Sequence, residues 1–76
     1  MTLTDDDVRK AIAKTVLNVD AAGLDSNASF HDLGIDSLDH SSILLELQEA
    51  HGLNVPDSDL EHCMSIRGIV EYAQTH

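Results

Sequence analysis

The sequence predicts an all-α fold, a small bundle of four helices of which three are long and one is short. Apolar residues recur at helical spacing in three separate segments, which is typical of helices that bury one face. The alternation of apolar and polar residues that marks a half-buried strand is missing. A chain of 76 residues has room for one domain with a thin core, so we expect residues 1–76 to form a single domain.

The first helix is predicted from about Thr4 to Leu17. Thr4 is a favourable N-cap, and the aspartates that follow it suit the positive end of a helix dipole. Its apolar stripe contains Val8, Ala11, Ile12 and Val16. Residues 18–34 then form a long loop that is rich in Asp, Asn, Ser and Gly. Its few large apolar residues are expected to anchor it to the core: Leu24, Leu33 and, as the largest, Phe30.

The second helix is predicted to begin after Gly34, with Asp36 as its N-cap, and to end at Gly52. We expect one stripe at four-residue spacing to face the core: Ile43, Leu47 and His51. A short helix is predicted after Pro56, within residues 57–63. The last helix is predicted within residues 65–76, with Ser65 as its cap. Its apolar stripe contains Ile66, Ile69, Val70 and Ala73.

The charge of the chain excludes some classes of partner. Fourteen Asp and Glu oppose four Lys and Arg, which gives a net charge of −10. Binding to nucleic acid or to an anionic membrane requires a basic surface, so neither is expected. A dense negative field instead favours protein partners with basic docking surfaces, because it steers them into encounter. The same charge also serves solubility, and composition alone does not separate the two roles.

Cysteine usage and hydropathy bear on the compartment. Cys63 is the only cysteine, so no intramolecular disulfide can form, and we expect this residue to pack as a small apolar side chain. No apolar segment approaches the length of about 20 residues that crosses a bilayer. We therefore expect a cytoplasmic, monomeric protein that does not insert into membranes.

Two leucines of the second helix do not belong to its core stripe. Leu38 and Leu45 lie seven residues apart and form a second apolar line. Carboxylates border this line: Asp36, Asp39, Glu46 and Glu49. An apolar seam with an acidic rim is typical of a surface that receives a partner carrying apolar and basic groups. The alternative is that both leucines pack beneath the long loop.

Ser37 can be interpreted as a helix cap, a nucleophile or a point of attachment. A helix N-terminus tolerates a phosphate ester well. A hydrolytic triad with His40 and Asp36 is disfavoured, because one helical turn carries all three and no Gly-x-Ser-x-Gly turn is present. No metal site is predicted, because the adjacent His62 and Cys63 lack paired ligands at zinc-site spacing. His40 lies on the partner-facing helix, where its protonation would make recognition pH-sensitive.

The segment "DLGIDSLD", residues 32–39, resembles the attachment motif of acyl carrier proteins. The resemblance extends over nearly the whole chain, through "HGLNVPDSDLEH" to "SIRGIVEYAQ". Peptidyl carriers typically show Gly-Gly-His-Ser here, so "GIDSL" is more similar to carriers of fatty-acid and polyketide biosynthesis. The resemblance implies an acyl-carrier-like bundle that has no catalytic activity of its own.

The resemblance also implies roles for individual residues. Ser37 would carry 4′-phosphopantetheine, which a phosphopantetheinyl transferase using Mg²⁺ takes from coenzyme A, and the arm would hold acyl groups as thioesters. Asp36 would serve recognition by the transferase. The partner-facing surface, which serves acyl-loading and acyl-processing enzymes, would comprise Leu38, Asp39, Leu45, Glu46 and Glu49. The acyl chain would insert between the helices, with three candidate pocket residues: Phe30, Ile43 and Leu47.

The chain departs from the family pattern on its second helix. Ser41 and Ser42 stand where many fatty-acid carriers have Val and Glu, Glu46 replaces a frequent alanine, and His51 replaces an aromatic residue. These differences indicate a specialised carrier. The alternative function is an unmodified acidic interaction module in which Ser37 acts only as a cap.

Overall fold

The computed structural model describes residues 2–75 and confirms the all-α fold. Three α-helices form the bundle: α1 (Asp5–Thr15), α2 (Ser37–His51) and α3 (Ile66–Thr75). Two 3₁₀ helices lie in the connections, at Ala21–Gly23 and at Asp57–His62, and the second of them is the predicted short helix. Residues 2–75 contain no strand. The last residue of the predicted final helix, His76, lies outside the described residues.

Helix α1 begins as predicted and ends earlier. The Thr4 hydroxyl accepts a hydrogen bond from the Asp7 N–H, while the Asp7 carboxylate accepts one from the Thr4 N–H, which completes a capping box. The helix stops at Thr15, because Val16 has extended backbone (φ −119°, ψ 95°). Two consecutive β-branched residues at this point disfavour a further turn. Val16 is still buried, whereas Leu17 is 86% exposed.

The end of α2 corrects one prediction. His51 was expected on the core stripe and is instead exposed at the last position of the helix. Gly52 ends the helix in the left-handed conformation (φ 73°), which glycine adopts without strain. The turn brings Leu53 beneath the helix end, where its N–H donates to the Leu47 carbonyl and its side chain is 3% exposed. Leu53, and not His51, is therefore the buried side chain at this end of α2.

The core lies between the three α-helices and beneath the long loop. It comprises Leu3, Val8, Ala11, Ile12, Val16, Ala21, Phe30, Ile35, Ile43, Leu47, Leu53, Cys63, Ile66, Ile69, Tyr72 and Ala73. The expected burial of Cys63 is confirmed, and Val70 is half-buried against this core. Ser65 caps α3, since its hydroxyl accepts a hydrogen bond from the Gly68 N–H at 2.9 Å. None of the helices described has the length and apolar composition needed to cross a bilayer.

The long loop is held by side chains at both of its ends. Phe30 is 1% exposed, and its N–H donates to the Met64 carbonyl at 2.7 Å. At the other end, the Arg9 guanidinium donates to the Ala21 carbonyl and to the Ser26 hydroxyl, at 2.6 Å in each case. The size of Phe30 predicted its anchoring role, whereas the role of Arg9 was missed, because an arginine on a helix carries no sequence signal of a loop contact.

Candidate functional site

Asp36 caps α2, and the hydroxyl of Ser37, the next residue, takes no part in the cap. The Asp36 carboxylate accepts a hydrogen bond from the Asp39 N–H at 2.9 Å. Ser37 is the first residue of the helix and is exposed. Among residues 2–75 its hydroxyl has no hydrogen-bond partner. The interpretation of Ser37 as the helix cap is therefore wrong, and its oxygen is available for chemistry.

A glycine turn presents Asp36 and Ser37 at the surface. Gly34 has a positive φ of 82°, which side-chain-bearing residues rarely adopt. The turn lets the Ile35 N–H donate to the Phe30 carbonyl at 2.9 Å while the Ile35 side chain is 3% exposed. A buried isoleucine thus fixes the chain immediately before the exposed pair.

A cleft of about 140 Å³ opens beside the serine, and we call it the Ser37 cleft. His31, Asp36 and Ser37 lie on its exposed side. Phe30, Ile35 and His40 form its buried side, and Met64, which is 39% exposed, completes the lining. The rings of Phe30 and His40 pack with their centroids 5.1 Å apart. The cleft therefore offers a mostly apolar wall next to a free hydroxyl.

The side chain of His40 is buried, so it is not part of the exposed surface of α2. The side chain is 9% exposed, and its Nε2 lies 2.7 Å from the Cys63 carbonyl oxygen. Since a carbonyl only accepts, Nε2 carries the proton and donates. His40, Ile43 and Leu47 follow the spacing of three and four residues that marks one helix face. That spacing was visible in the sequence and predicts the burial of His40.

The same contact argues against a catalytic triad. A nucleophilic serine needs a base within hydrogen-bond distance. His40 Nε2 is hydrogen-bonded to the Cys63 carbonyl oxygen, and no hydrogen bond joins His40 to Ser37 in the described part of the chain.

The chain is similar to known proteins over most of its length. A family model described as "Phosphopantetheine attachment site" matches residues 8–73. A relative named acyl carrier protein from Cyanidioschyzon merolae (strain NIES-3377 / 10D) is 37% identical over 68 residues, which are 88% of this chain and 75% of the relative. Acyl carrier proteins from Helicobacter pylori strains G27 and HPAG1 are each 37% identical over 70 residues, 91% of this chain and 88% of each relative.

The chain belongs to the acyl carrier protein family. Its prosthetic group is 4′-phosphopantetheine. The geometry at Ser37 fits a group linked through a phosphate ester, because the hydroxyl is exposed at the N-terminus of a helix, where backbone N–H groups favour negative charge. The apolar wall of the Ser37 cleft lies beside the same oxygen.

The surface of α2 shows where the carrier is open to solvent. Leu38 is 78% exposed and Leu45 is 54% exposed, so the alternative that they pack beneath the loop is wrong. Glu49 is exposed and Asp39 is half-buried. Glu46 is held within the chain instead, because its carboxylate lies 3.2 Å from Lys14 Nζ on α1 and its side chain is 19% exposed. Glu46 borders the apolar seam of Leu38 and Leu45 in the sequence. Its ion pair with Lys14 partly balances the charge of the Glu46 carboxylate.

The charges of this carrier are distributed unevenly. Each of the four Lys and Arg residues pairs with a carboxylate: Arg9 with Asp5, Lys10 with Asp6, Lys14 with Glu46, and Arg67 with Glu71. The net charge of −10 therefore resides on the remaining acids. Three of these flank Ser37: Asp32, Asp36 and Asp39. Within residues 2–75 no cluster of His, Cys, Asp and Glu could hold a metal ion.

The three candidate residues for an acyl pocket are all in the core. Phe30 is 1% exposed, and Ile43 and Leu47 are fully buried. Phe30 lines the Ser37 cleft, but neither Ile43 nor Leu47 does. The side chain that lies at the cleft on the same face of α2 is His40.

Proposed function

We propose that this protein is a discrete acyl carrier whose prosthetic arm is attached to Ser37. The strongest support is the arrangement at the start of α2, where Asp36 caps the helix and the exposed Ser37 hydroxyl has no hydrogen-bond partner among residues 2–75. A serine needed for the cap would lose its hydrogen bond on modification, whereas this one loses none.

Loading requires a phosphopantetheinyl transferase, coenzyme A and Mg²⁺. A bond forms between Ser37 Oγ and a phosphorus atom of coenzyme A, and the pyrophosphate bond to its nucleotide half breaks. The hydroxyl proton passes to a base of the transferase, and the nucleotide half leaves. Asp36 is adjacent to the reacting oxygen and is the proposed recognition group for the transferase. The bound arm supplies a terminal thiol that holds acyl cargo as a thioester.

The residues of this chain supply docking and presentation. The exposed Leu38 and Leu45 are proposed to contact the apolar part of a partner enzyme, and Asp39 and Glu49 its basic groups. Glu46 contributes less in this proposal, because Lys14 already pairs with it. We propose that the carrier works as a cytoplasmic monomer in fatty-acid, polyketide or related biosynthesis, and that the chemistry is catalysed by its partners.

The test is the intact mass after incubation with coenzyme A, Mg²⁺ and a broad-specificity phosphopantetheinyl transferase. We expect the unaltered chain to gain one phosphopantetheine and Ser37→Ala to gain none. Ser41→Ala is the matched control, since Ser41 is another exposed serine of α2, and it should load fully. An unmodified chain beside a fully loaded reference carrier would contradict attachment at Ser37 and leave the acidic interaction module.

A further inference from the structure

The buried face of α2 carries one polar side chain between Ser37 and the core. His40 lies one turn after Ser37, and Ile43 and Leu47 continue its face into the interior. A buried imidazole needs a partner for its N–H, because an unpaired buried donor is costly. The Cys63 carbonyl, 2.7 Å away, provides that partner.

Contacts of the His40 side chain join three separate segments of the chain. We call these contacts the His40 clasp. The imidazole of α2 packs on Phe30 of the long loop and donates to Cys63, which lies between the second 3₁₀ helix and α3. The Phe30 N–H donates to the next carbonyl along, that of Met64, at 2.7 Å. Loop, α2 and the approach to α3 are thus hydrogen-bonded or packed together at one point.

The His40 clasp lies between Ser37, the attachment point, and the core residues Ile43 and Leu47 of α2. Phe30, His40 and Met64 line the Ser37 cleft, whereas Ile43, the next residue inward on α2, does not. An acyl chain that the arm returns to the Ser37 cleft would have to separate His40 from Phe30 and Cys63 to reach Ile43 from there. That separation breaks a buried hydrogen bond and leaves a buried carbonyl without its partner.

The Ser37 cleft itself holds little. Its volume is about 140 Å³. A protein cavity of about 150 Å³ takes a molecule the size of benzene, so the cleft has room for about six carbon atoms. Short acyl groups fit within it, and longer apolar chains do not.

We propose that His40 is a residue that determines cargo specificity by closing the interior of this carrier. The cargo is then short acyl groups that remain in the Ser37 cleft, and longer apolar chains are not sheltered beside Ile43 and Leu47. The inference rests on the proposed function, since it concerns the cargo carried at Ser37. It replaces the expectation that the acyl chain inserts along the stripe of α2.

The experiment loads butyryl- and octanoyl-phosphopantetheine from the corresponding coenzyme A thioesters. Four proteins are compared: the unaltered chain, His40→Ala, His40→Gln and His51→Ala. His51 is an exposed histidine of the same helix and does not line the cleft, so its variant is the matched control. Gln retains an N–H that can reach the Cys63 carbonyl. Two readouts report where the chain lies: retention on a phenyl column, and the rate at which neutral hydroxylamine cleaves the thioester.

In the unaltered chain we expect retention to increase from butyryl to octanoyl, and the octanoyl thioester to be cleaved at least as fast as the butyryl one, because the cleft has no room for the longer chain. His51→Ala and His40→Gln should behave in the same way. His40→Ala should cleave the octanoyl thioester about fivefold more slowly than the butyryl one, because the opened interior buries the longer chain. Its retention should then no longer increase with chain length.

Each other outcome contradicts a specific step. Failure of the mass to increase overturns the proposed function and this inference with it. A loaded, unaltered chain that protects its octanoyl thioester overturns closure alone. A folded His40→Ala that gives no protection shows that His40 is not what closes the interior. If His40→Ala does not fold, the comparison of the two cargoes on the unaltered chain still decides whether the interior is closed.

Discussion

Asp36 and Asp39 are joined by a hydrogen bond of 2.9 Å from the Asp39 N–H to the Asp36 carboxylate, which closes the first turn of α2 around Ser37. The residue proposed for recognition by the transferase is therefore also the residue that fixes the helix on which Ser37 lies. Any effect of Asp36 on loading combines its charge with its hydrogen bond, and substitutions can separate them.

Substitution of Asp36 separates the cap from the charge. Asp36→Ala removes both and should lower the free energy of unfolding by about 1 kcal/mol. Asp36→Asn retains the cap, because the Asn oxygen accepts the same hydrogen bond, and should cost only a few tenths of that. Urea unfolding followed by circular dichroism measures both values. If the carboxylate serves recognition, Asp36→Asn loads slowly although it is folded, and normal loading of this variant would assign Asp36 to the cap alone.

Local signals predicted the elements of this fold, and long-range contacts account for the differences. The cap residues Thr4, Asp36 and Ser65 act on their own helices, so sequence alone identified them. His51 was misplaced because a helical stripe does not show that Gly52 ends the helix and that Leu53 is buried beyond it.

Some features of the site could likewise be predicted from local sequence, and others depend on long-range contacts. The exposed Ser37 follows from its position directly after a cap. The Cys63 carbonyl that holds His40 lies 23 residues along the chain, so no local pattern contains the bond. The spacing of His40 from Ile43 was a usable signal for its burial, but its polarity argued for the surface.

The charges of the docking surface predict opposite effects on the rate of loading for two substitutions. Asp39→Lys should slow loading by a basic transferase about threefold at low salt, because it weakens steering at the docking surface. Lys14→Ala should accelerate loading, because it removes the cation that pairs with Glu46. Both effects should fade at high salt, where exposed charges are screened. Asp20→Lys, in the loop after α1, is the control for net charge, and an equal slowing there would count against a local surface.

Gly68 is required where the second 3₁₀ helix approaches α3. A Cβ at this position would lie 2.7 Å from the His62 carbonyl oxygen, which is backbone and cannot rotate away. Gly68→Ala gains about 1 kcal/mol of helix propensity, but the clash costs about 1–3 kcal/mol, so we expect a net loss of stability. Urea denaturation should show a lower midpoint. Gly23→Ala, whose Cβ would lie 3.4 Å from its nearest neighbour, should change stability by less than about 0.5 kcal/mol.

Asp5 should make stability depend on pH in the acidic range. A hydrogen bond from Ser26 and one from Arg9 hold the pKa of Asp5 below its ordinary value. Because the folded pKa is lower than the unfolded one, the stabilisation is complete above about pH 4 and is lost as the pH falls through the folded value. The difference in unfolding free energy between the unaltered chain and Asp5→Asn should therefore be constant from pH 7 to about pH 4 and then shrink. Ser26→Ala removes the hydrogen bond that lowers the Asp5 pKa most, so it should reduce this difference in unfolding free energy at neutral pH. If the full difference persisted in strong acid, Asp5 would not be its source.

The buried Cys63 thiol should be distinguishable from the thiol of the prosthetic arm. Burial raises the pKa of Cys63 to about 11, and the thiolate is the form that attacks disulfide reagents. At pH 8 the native Ser37→Ala protein should therefore react with Ellman's reagent about a hundredfold more slowly than a free thiol. The loaded, unaltered carrier should show one fast equivalent from the arm and one slow equivalent from Cys63, and urea should make the slow one fast. A fast equivalent in native Ser37→Ala would mean that Cys63 is accessible, and the closed interior around the His40 clasp would then need revision.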